Sequence, residues 1–148
     1  MIDLLAHVAL LRSSFQRLTG RELIGQSRNS EQAVLQLQQA PFAVVSHGTQ
    51  ADPIFNYANQ TALNLFEMDW AAFTRLPSRL SAEALERSAR DQLLQRVTQH
   101  GFVDDYSGVR ISRTGRRFLV RDATVWNLLD ENGLLCGQAA MLQHWEYL

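Results

Sequence analysis

The final third of the chain constrains the fold more tightly than any other part. From Phe102 onward it reads strand, turn, strand, turn, strand, with Thr114-Gly115 and Asn132-Gly133 as the turn signals. An Asn-Gly pair supplies the positive φ values of a tight hairpin, and here it separates two apolar runs. The pattern predicts a three-stranded antiparallel meander. The middle strand is apolar on both parities: Phe118, Val120, Trp126 and Leu128 alternate with Leu119, Ala123 and Val125. A sheet with one wet face alternates cleanly between apolar and polar. Both faces of this sheet are therefore expected to be covered, one by intervening helices, the other by the N-terminal helix or by a second subunit.

The N-terminal segment is helical in period. Leu4, Val8, Leu11, Phe15 and Leu18 step by four and three residues along one face. Asp3 suits the positive end of the helix dipole, Arg17 the negative end, and Gly20 is a natural stop. Leu5 and Leu10 widen the stripe, which favours packing on a sheet or on a partner. A helix of this length is marginal alone. The stripe is read as the contact of a homodimer, with a helix folded back on its own sheet as the alternative. A second helix is expected from Ser30 to Ala40, capped by Asn29 or Ser30, with Ala33, Val34 and Leu37 inward.

Pro41 ends that helix, and Phe42 to His47 reads as a strand closed by Gly48. Asp52-Pro53 marks a turn, and Ile54 to Tyr57 reads as a second strand. Asn59 caps a helix with Ala62, Leu63 and Phe66 on one face. Met68 to Thr74 is a further turn of helix, broken by Leu76-Pro77-Ser78-Arg79. Ser81 is read as the cap of a longer helix, with Glu83 and Glu86 in its first turn and Leu85, Ala89, Leu93, Leu94 and Val97 as its apolar stripe, stopped by Gly101. Strands gathered early and late, with helices between, make the class α+β. The chain divides into a helical extension over residues 1–40 and one sheet-bearing domain over 41–148.

At 148 residues one domain is expected, and the net charge of −1 gives no electrostatic reason to expect nucleic acid or an acidic membrane as partner. All 14 basic residues are Arg, which removes lysine Schiff-base and P-loop chemistry. One cysteine cannot form an internal disulfide, and His7, His47, His100 and His144 show no ligand spacing, so no metal site is expected. The N-terminus lacks the positive start of a secretory signal, and no run approaches the roughly 20 apolar residues of a membrane span. A reducing, cytoplasmic location follows as the plain reading.

Two strands, short helices, one longer helix and a meander form the layout of a PAS domain. The segment Ile54-Phe55-Asn56-Tyr57-Ala58-Asn59-Gln60-Thr61-Ala62-Leu63 resembles the PAS signature, in which a strand ends in an Asn that caps the next helix. Longer pieces, Phe42 to His47, Leu76 to Glu83, Asp104 to Arg110, Val125 to Leu128 and Gly137 to Ala140, resemble the MEKHLA family, a PAS-related family of small bacterial proteins and of the C-terminal region of plant class III homeodomain-leucine zipper proteins. The resemblance implies a five-stranded antiparallel sheet with helices on one face. It implies a sensory or regulatory module that binds a small ligand or a protein partner, without catalytic activity and with a signalling protein as a possible partner. It carries no catalytic residue over.

A pocket of the PAS kind would lie between the sheet and the helices from Asn59 to His100. Its expected walls are Phe55, Tyr57, Leu63, Phe66, Trp70, Leu94, Val109, Ile111 and Met141. His47, Asn59, Arg79, Tyr106, Trp126, Asn127 and Gln138 are added as pocket candidates. No cofactor is assigned. A covalent flavin needs a cysteine over the pocket, and Cys136 falls at a hairpin edge. A haem needs an axial His on the longer helix, and His100 sits at its very end, suited to capping carbonyls. Non-covalent flavin stays open. The Arg110, Arg113, Arg116, Arg117 and Arg121 group lies beside Asp104, Asp105 and Asp122 and reads as a solvated, neutralised face rather than a nucleic-acid site. The alternative from another class is a small enzyme on a cone-shaped α+β fold, using the Asp105/Tyr106 region for acid–base work.

Overall fold

The computed structural model describes residues 2–83 and 87–148. Five helices, α1 (Leu4–Thr19), α2 (Ser30–Gln38), α3 (Gln60–Phe66), α4 (Trp70–Phe73) and α5 (Arg87–His100), accompany six strands. The strands are β1 (Ala43–His47), β2 (Phe55–Ala58), β3 (Phe102–Ile111), β4 (Arg117–Leu129), β5 (Leu135–Leu142) and β6 (His144–Tyr147). They form one antiparallel sheet in the order β2-β1-β5-β4-β3, with β6 added along β4. The meander is present as expected. So are its turns, with Gly115 at φ 86° and Gly133 at φ 79°. The sixth strand exceeds the five expected. β4 is thirteen residues long and β5 only eight, so the Phe118–Arg121 half of β4 has a free edge on that side. Past Gln143 the chain continues in the same register, and β6 fills that edge.

Local signals set the helix ends. Asp3 accepts hydrogen bonds from the backbone of Leu5 and Ala6, Asn29 from Gln32, and Asn59 from Ala62. Gly20 closes α1 in the left-handed conformation, and the Gly101 N–H donates back to Val97 O at 2.8 Å. The longer helix differs from expectation at its start. Ser78–Ser81 forms a separate 3₁₀ turn and α5 runs from Arg87, so Ser81 belongs to that turn and Glu83 precedes α5. Pro77 and the bond from Ser81 Oγ to Ser78 O, 2.7 Å, favour the tight turn. Leu85 and Glu86 lie outside the described residues.

The double-sided apolar pattern of β4 has a specific cause. Asp122 adopts φ 52°, and the register against β3 slips on either side of Tyr106. One extra residue in each strand makes a bulge pair, and each bulge reverses side-chain parity. Phe118 and Val120 before the bulge therefore share a face with Ala123 and Val125 after it, against α3, α4 and α5. Trp126 and Leu128 face the other way, into a cluster with α1 and α2.

Both faces are covered, as the pattern demands. Val8, Leu11 and Phe15 are buried against their own sheet, Leu18 is half-buried, and only Leu4 of the stripe is exposed, at 41%. Most of the stripe is thus packed within the chain, in the arrangement of a helix folded back on its own sheet. Two polar contacts fix the helix in place. Ser14 Oγ accepts from Leu129 N and donates to Leu129 O, and His7 Nε2 meets Ser46 Oγ at 2.8 Å. Burial holds the His7 imidazole at a pKa of about 4, so it is neutral there at ordinary pH.

Trp126 is fully buried, with the Phe15 ring edge-on at 4.9 Å between centroids. Trp126→Ala is expected to lower stability by about 3–5 kcal/mol, the range for aromatic truncation in a core. Urea denaturation measures it; a midpoint at the wild-type value would place the indole outside the core.

Candidate ligand cavity

A cavity of about 60 Å³ lies between the inner sheet face, α5 and the 3₁₀ turn. The apolar part of its wall comes from Val45, Phe55, Phe66, Leu93, Leu94, Val125, Ala140 and Leu142. The polar part comes from Ser46, His47, Ser78, Ser81, Arg90, Tyr106, Arg110 and Gln138. Space of this size admits a few waters or a small ligand, since one water needs roughly 10–15 Å³ on the same measure.

The chemistry of the wall is cationic. Arg90 points inward from α5 with its side chain only 5% exposed. It donates to Ser78 Oγ and, at 3.1 Å, to Asp91 Oδ1. Asp91 itself is 68% exposed, so its charge is largely spent on water. Arg110 reaches in from β3, donates to Ser81 Oγ at 3.2 Å, and lies over the Tyr106 ring at 5.3 Å. Burial and then the nearby Arg110 charge push the Arg90 pKa down, the expected response of a cation in a site already positive. His47 is pushed down mainly by burial, with both arginines adding. Its Nδ1–H donates to Gly48 O at 2.9 Å, which leaves Nε2 as an acceptor in the neutral ring.

A polar chain closes the far wall. Gln138 Nε2 donates to Thr98 Oγ1 at 3.0 Å and to Asn127 Oδ1 at 3.1 Å, with Leu94 O within reach at 3.3 Å, and Asn127 Nδ2 donates to Val97 O. These bonds tie the last turns of α5 to β4 and β5. Gly137 beside them allows close strand approach, because a Cβ there would sit 2.5 Å from His47 O.

Of the sequence candidates, His47, Phe55, Phe66, Leu94, Tyr106 and Gln138 line this cavity. The others do not. Tyr57, Trp126 and Met141 face α1 on the opposite side of the sheet. Asn59 is a buried backbone junction, and Asn127 supports the wall from behind. Leu63 and Trp70 border an open surface groove with Leu4, and Ile111 borders another with Leu80 and Arg87. Val109 lies half-buried in β3, outside the lining. Arg79 turns outward to an exposed pair with Asp52 at 3.1 Å. Sequence reading missed Arg90 and Arg110, the two groups that give the cavity its charge. Spacing was the available signal: Arg90, Leu93 and Val97 step by three and four, while Ala89, expected inward, is exposed.

The remaining candidates sit elsewhere. Asp105 is 67% exposed and pairs with Arg96 at 3.6 Å, and His100 is exposed at the end of α5. Among the described residues, no carboxylate lines the cavity and no group of three His, Cys, Asp or Glu side chains could hold a metal ion. Cys136 is exposed at the start of β5, away from the cavity. Arg117 and Arg121 pair with Glu83 and Glu146, and Arg116 stacks on Tyr147 at 3.4 Å, so these three form a surface face with partners other than the expected aspartates, whereas Arg110, expected on that face, turns into the cavity. No described helix is long and apolar enough to cross a membrane.

The sequence pattern of the MEKHLA domain matches residues 5–147. The chain belongs to the MEKHLA family. Among curated relatives, it is 26% identical to the homeobox-leucine zipper protein ATHB-9 and 28% identical to ATHB-14, both of Arabidopsis thaliana. Each alignment covers 99% of this chain but 18% of the relative, so this MEKHLA chain spans less than a fifth of those proteins. Solved structures similar in fold include the PAS domain of a Colwellia psychrerythraea protein (TM-score 0.65, 13% identity, 76% of this chain and 93% of that one). An RNA-binding light-oxygen-voltage receptor matches at TM-score 0.64, 16% identity, 82% of this chain and 34% of that one. A light-oxygen-voltage domain studied with a flavin analogue matches at TM-score 0.58, 17% identity, 78% of this chain and 83% of that one. The fold of this MEKHLA domain is therefore PAS-like.

A flavin does not fit this cavity as its described residues shape it. Ligand pockets for molecules of that size run to roughly 300–1,000 Å³, against about 60 Å³ here. The cysteine lies outside the lining, as noted.

Proposed function

We propose that this MEKHLA domain is a sensory, regulatory module that binds a small molecule in the cavity between its sheet and α5, without catalysing a reaction on it. The observation that carries this reading is the built cavity itself, a mostly apolar chamber into which a buried Arg90 projects. β1 offers a route for the signal. Ser46 borders the cavity, and its hydroxyl contacts His7 of α1 on the other sheet face. Occupation of the cavity would shift the population of α1 arrangements, and a signalling protein partner would read that helix.

Native mass spectrometry of protein purified from its own host tests the reading. A small non-covalent mass lost on denaturation is expected. Protein of bare mass, with no change in melting temperature across a small-metabolite screen, would overturn it.

A further inference from the structure

The two arginines of the cavity narrow the chemistry of what it takes. Ser78 and Ser81 lie three residues apart on the 3₁₀ turn, where such side chains stand one above the other. Arg90 donates to the first hydroxyl and Arg110 to the second, so one short turn sets two guanidinium groups side by side at the cavity wall. Each planar fork carries five N–H donors. Arg90 uses one on Ser78 and one on Asp91, and Arg110 uses one on Ser81. Among the described residues Arg110 makes no ion pair, and the only carboxylate on Arg90 is the exposed Asp91. Two adjacent cations with unspent donors, partly out of water, are stabilised by an anion placed between them.

We infer that the cavity binds a small carboxylate, its oxygens held by Arg90 and Arg110 and its short aliphatic body against Leu93, Leu94 and Val125. Guanidinium forks match the planar carboxylate in a bidentate way. The apolar remainder of the wall favours an acid with a hydrocarbon tail over a bare phosphate. A volume near 60 Å³ limits the ligand to about four to six non-hydrogen atoms at one water per roughly 10–15 Å³, the size of acetate, propionate or butyrate. Neutral His47, with both ring positions directed by the Gly48 contact, adds an acceptor suited to a hydroxyl on such a tail. The inference rests on the proposed ligand-binding function and names its ligand class.

Calorimetry and methyl NMR with sodium acetate, propionate and butyrate, with propionamide as the neutral isostere and with inorganic phosphate test it. Carboxylate binding that shifts the Leu93, Leu94 and Val125 methyls is expected, weakened about tenfold to a hundredfold in Arg110→Gln, as loss of a hydrogen bond to a charged group predicts. Arg110 is partly exposed, so this variant should fold even where Arg90→Gln does not. Equal binding of propionamide, or carboxylate binding unchanged in Arg110→Gln, would overturn the anion assignment while leaving a ligand cavity in place. Phosphate binding without carboxylate binding would overturn the carboxylate. Methyl shifts from no probe, together with a bare mass from host protein, would overturn both the class and the sensory reading.

Discussion

Leu11→Asp is expected to leave most of the chain unfolded, with helical circular dichroism lost and no cooperative urea transition. Leu11 is fully buried between α1 and the sheet, in the cluster that holds Phe15, Trp126 and Leu128. Removing a buried leucine side chain costs about 2–5 kcal/mol. An unpaired carboxylate in the same place adds several kcal/mol more or forces its own protonation. The sum is more than about 5 kcal/mol, against the roughly 5–15 kcal/mol that holds a domain of ordinary stability. Leu11→Ala should lose only the first part and stay folded. A dimer built through this stripe gives a different outcome, in which Leu11→Asp turns a dimer into a folded monomer. Sedimentation of wild type and variant distinguishes the two, and a folded monomeric variant would return the helix to the interface.

The residues that sequence reading placed well are those whose role is set by near neighbours. Asp3, Asn29 and Asn59 each cap the helix that follows, and Gly20, Gly101 and Gly133 each end an element within a few residues of the signal. The residues it misplaced depend on partners far along the chain. The bulge at Asp122 flips the faces of β4, and nothing near Asp122 announces it; its counterpart lies around Tyr106 in β3. That flip sends Trp126 and, across the ladder, Met141 toward α1 rather than into the cavity. Arg90 was passed over because a charge on a helix is usually solvated. Its burial depends on Ser78, twelve residues earlier in a turn that sequence reading took as a mere break. The cavity was therefore legible as a place, between sheet and helices, while its charge was not.

Asn59 shows how one residue can be read correctly in part and still be underrated. As a helix cap its loss would cost about 1 kcal/mol. Asn59→Ala is instead expected to cost on the order of 5 kcal/mol. Its Oδ1 accepts from Ala62 N at 3.1 Å, which is the cap, and also from Val44 N at 3.0 Å in β1. Its Nδ2 donates to Leu37 O at 2.9 Å at the end of α2 and to Phe42 O at 2.8 Å. All of this occurs at a fully buried position. Alanine would strip partners from four backbone groups at the junction of α2, β1 and α3, where an unsatisfied buried group costs about 1–3 kcal/mol and shared relaxation keeps the total below the sum. Asn59→Asp separates the two roles. It keeps the acceptor of the cap, loses both donors, and turns a carboxylate oxygen toward two carbonyls. A capping residue would be rescued by aspartate, whereas a junction residue would be as destabilised as by alanine. Urea midpoints of the two variants decide between them, and rescue by aspartate to within about 1 kcal/mol of wild type would reduce Asn59 to a cap.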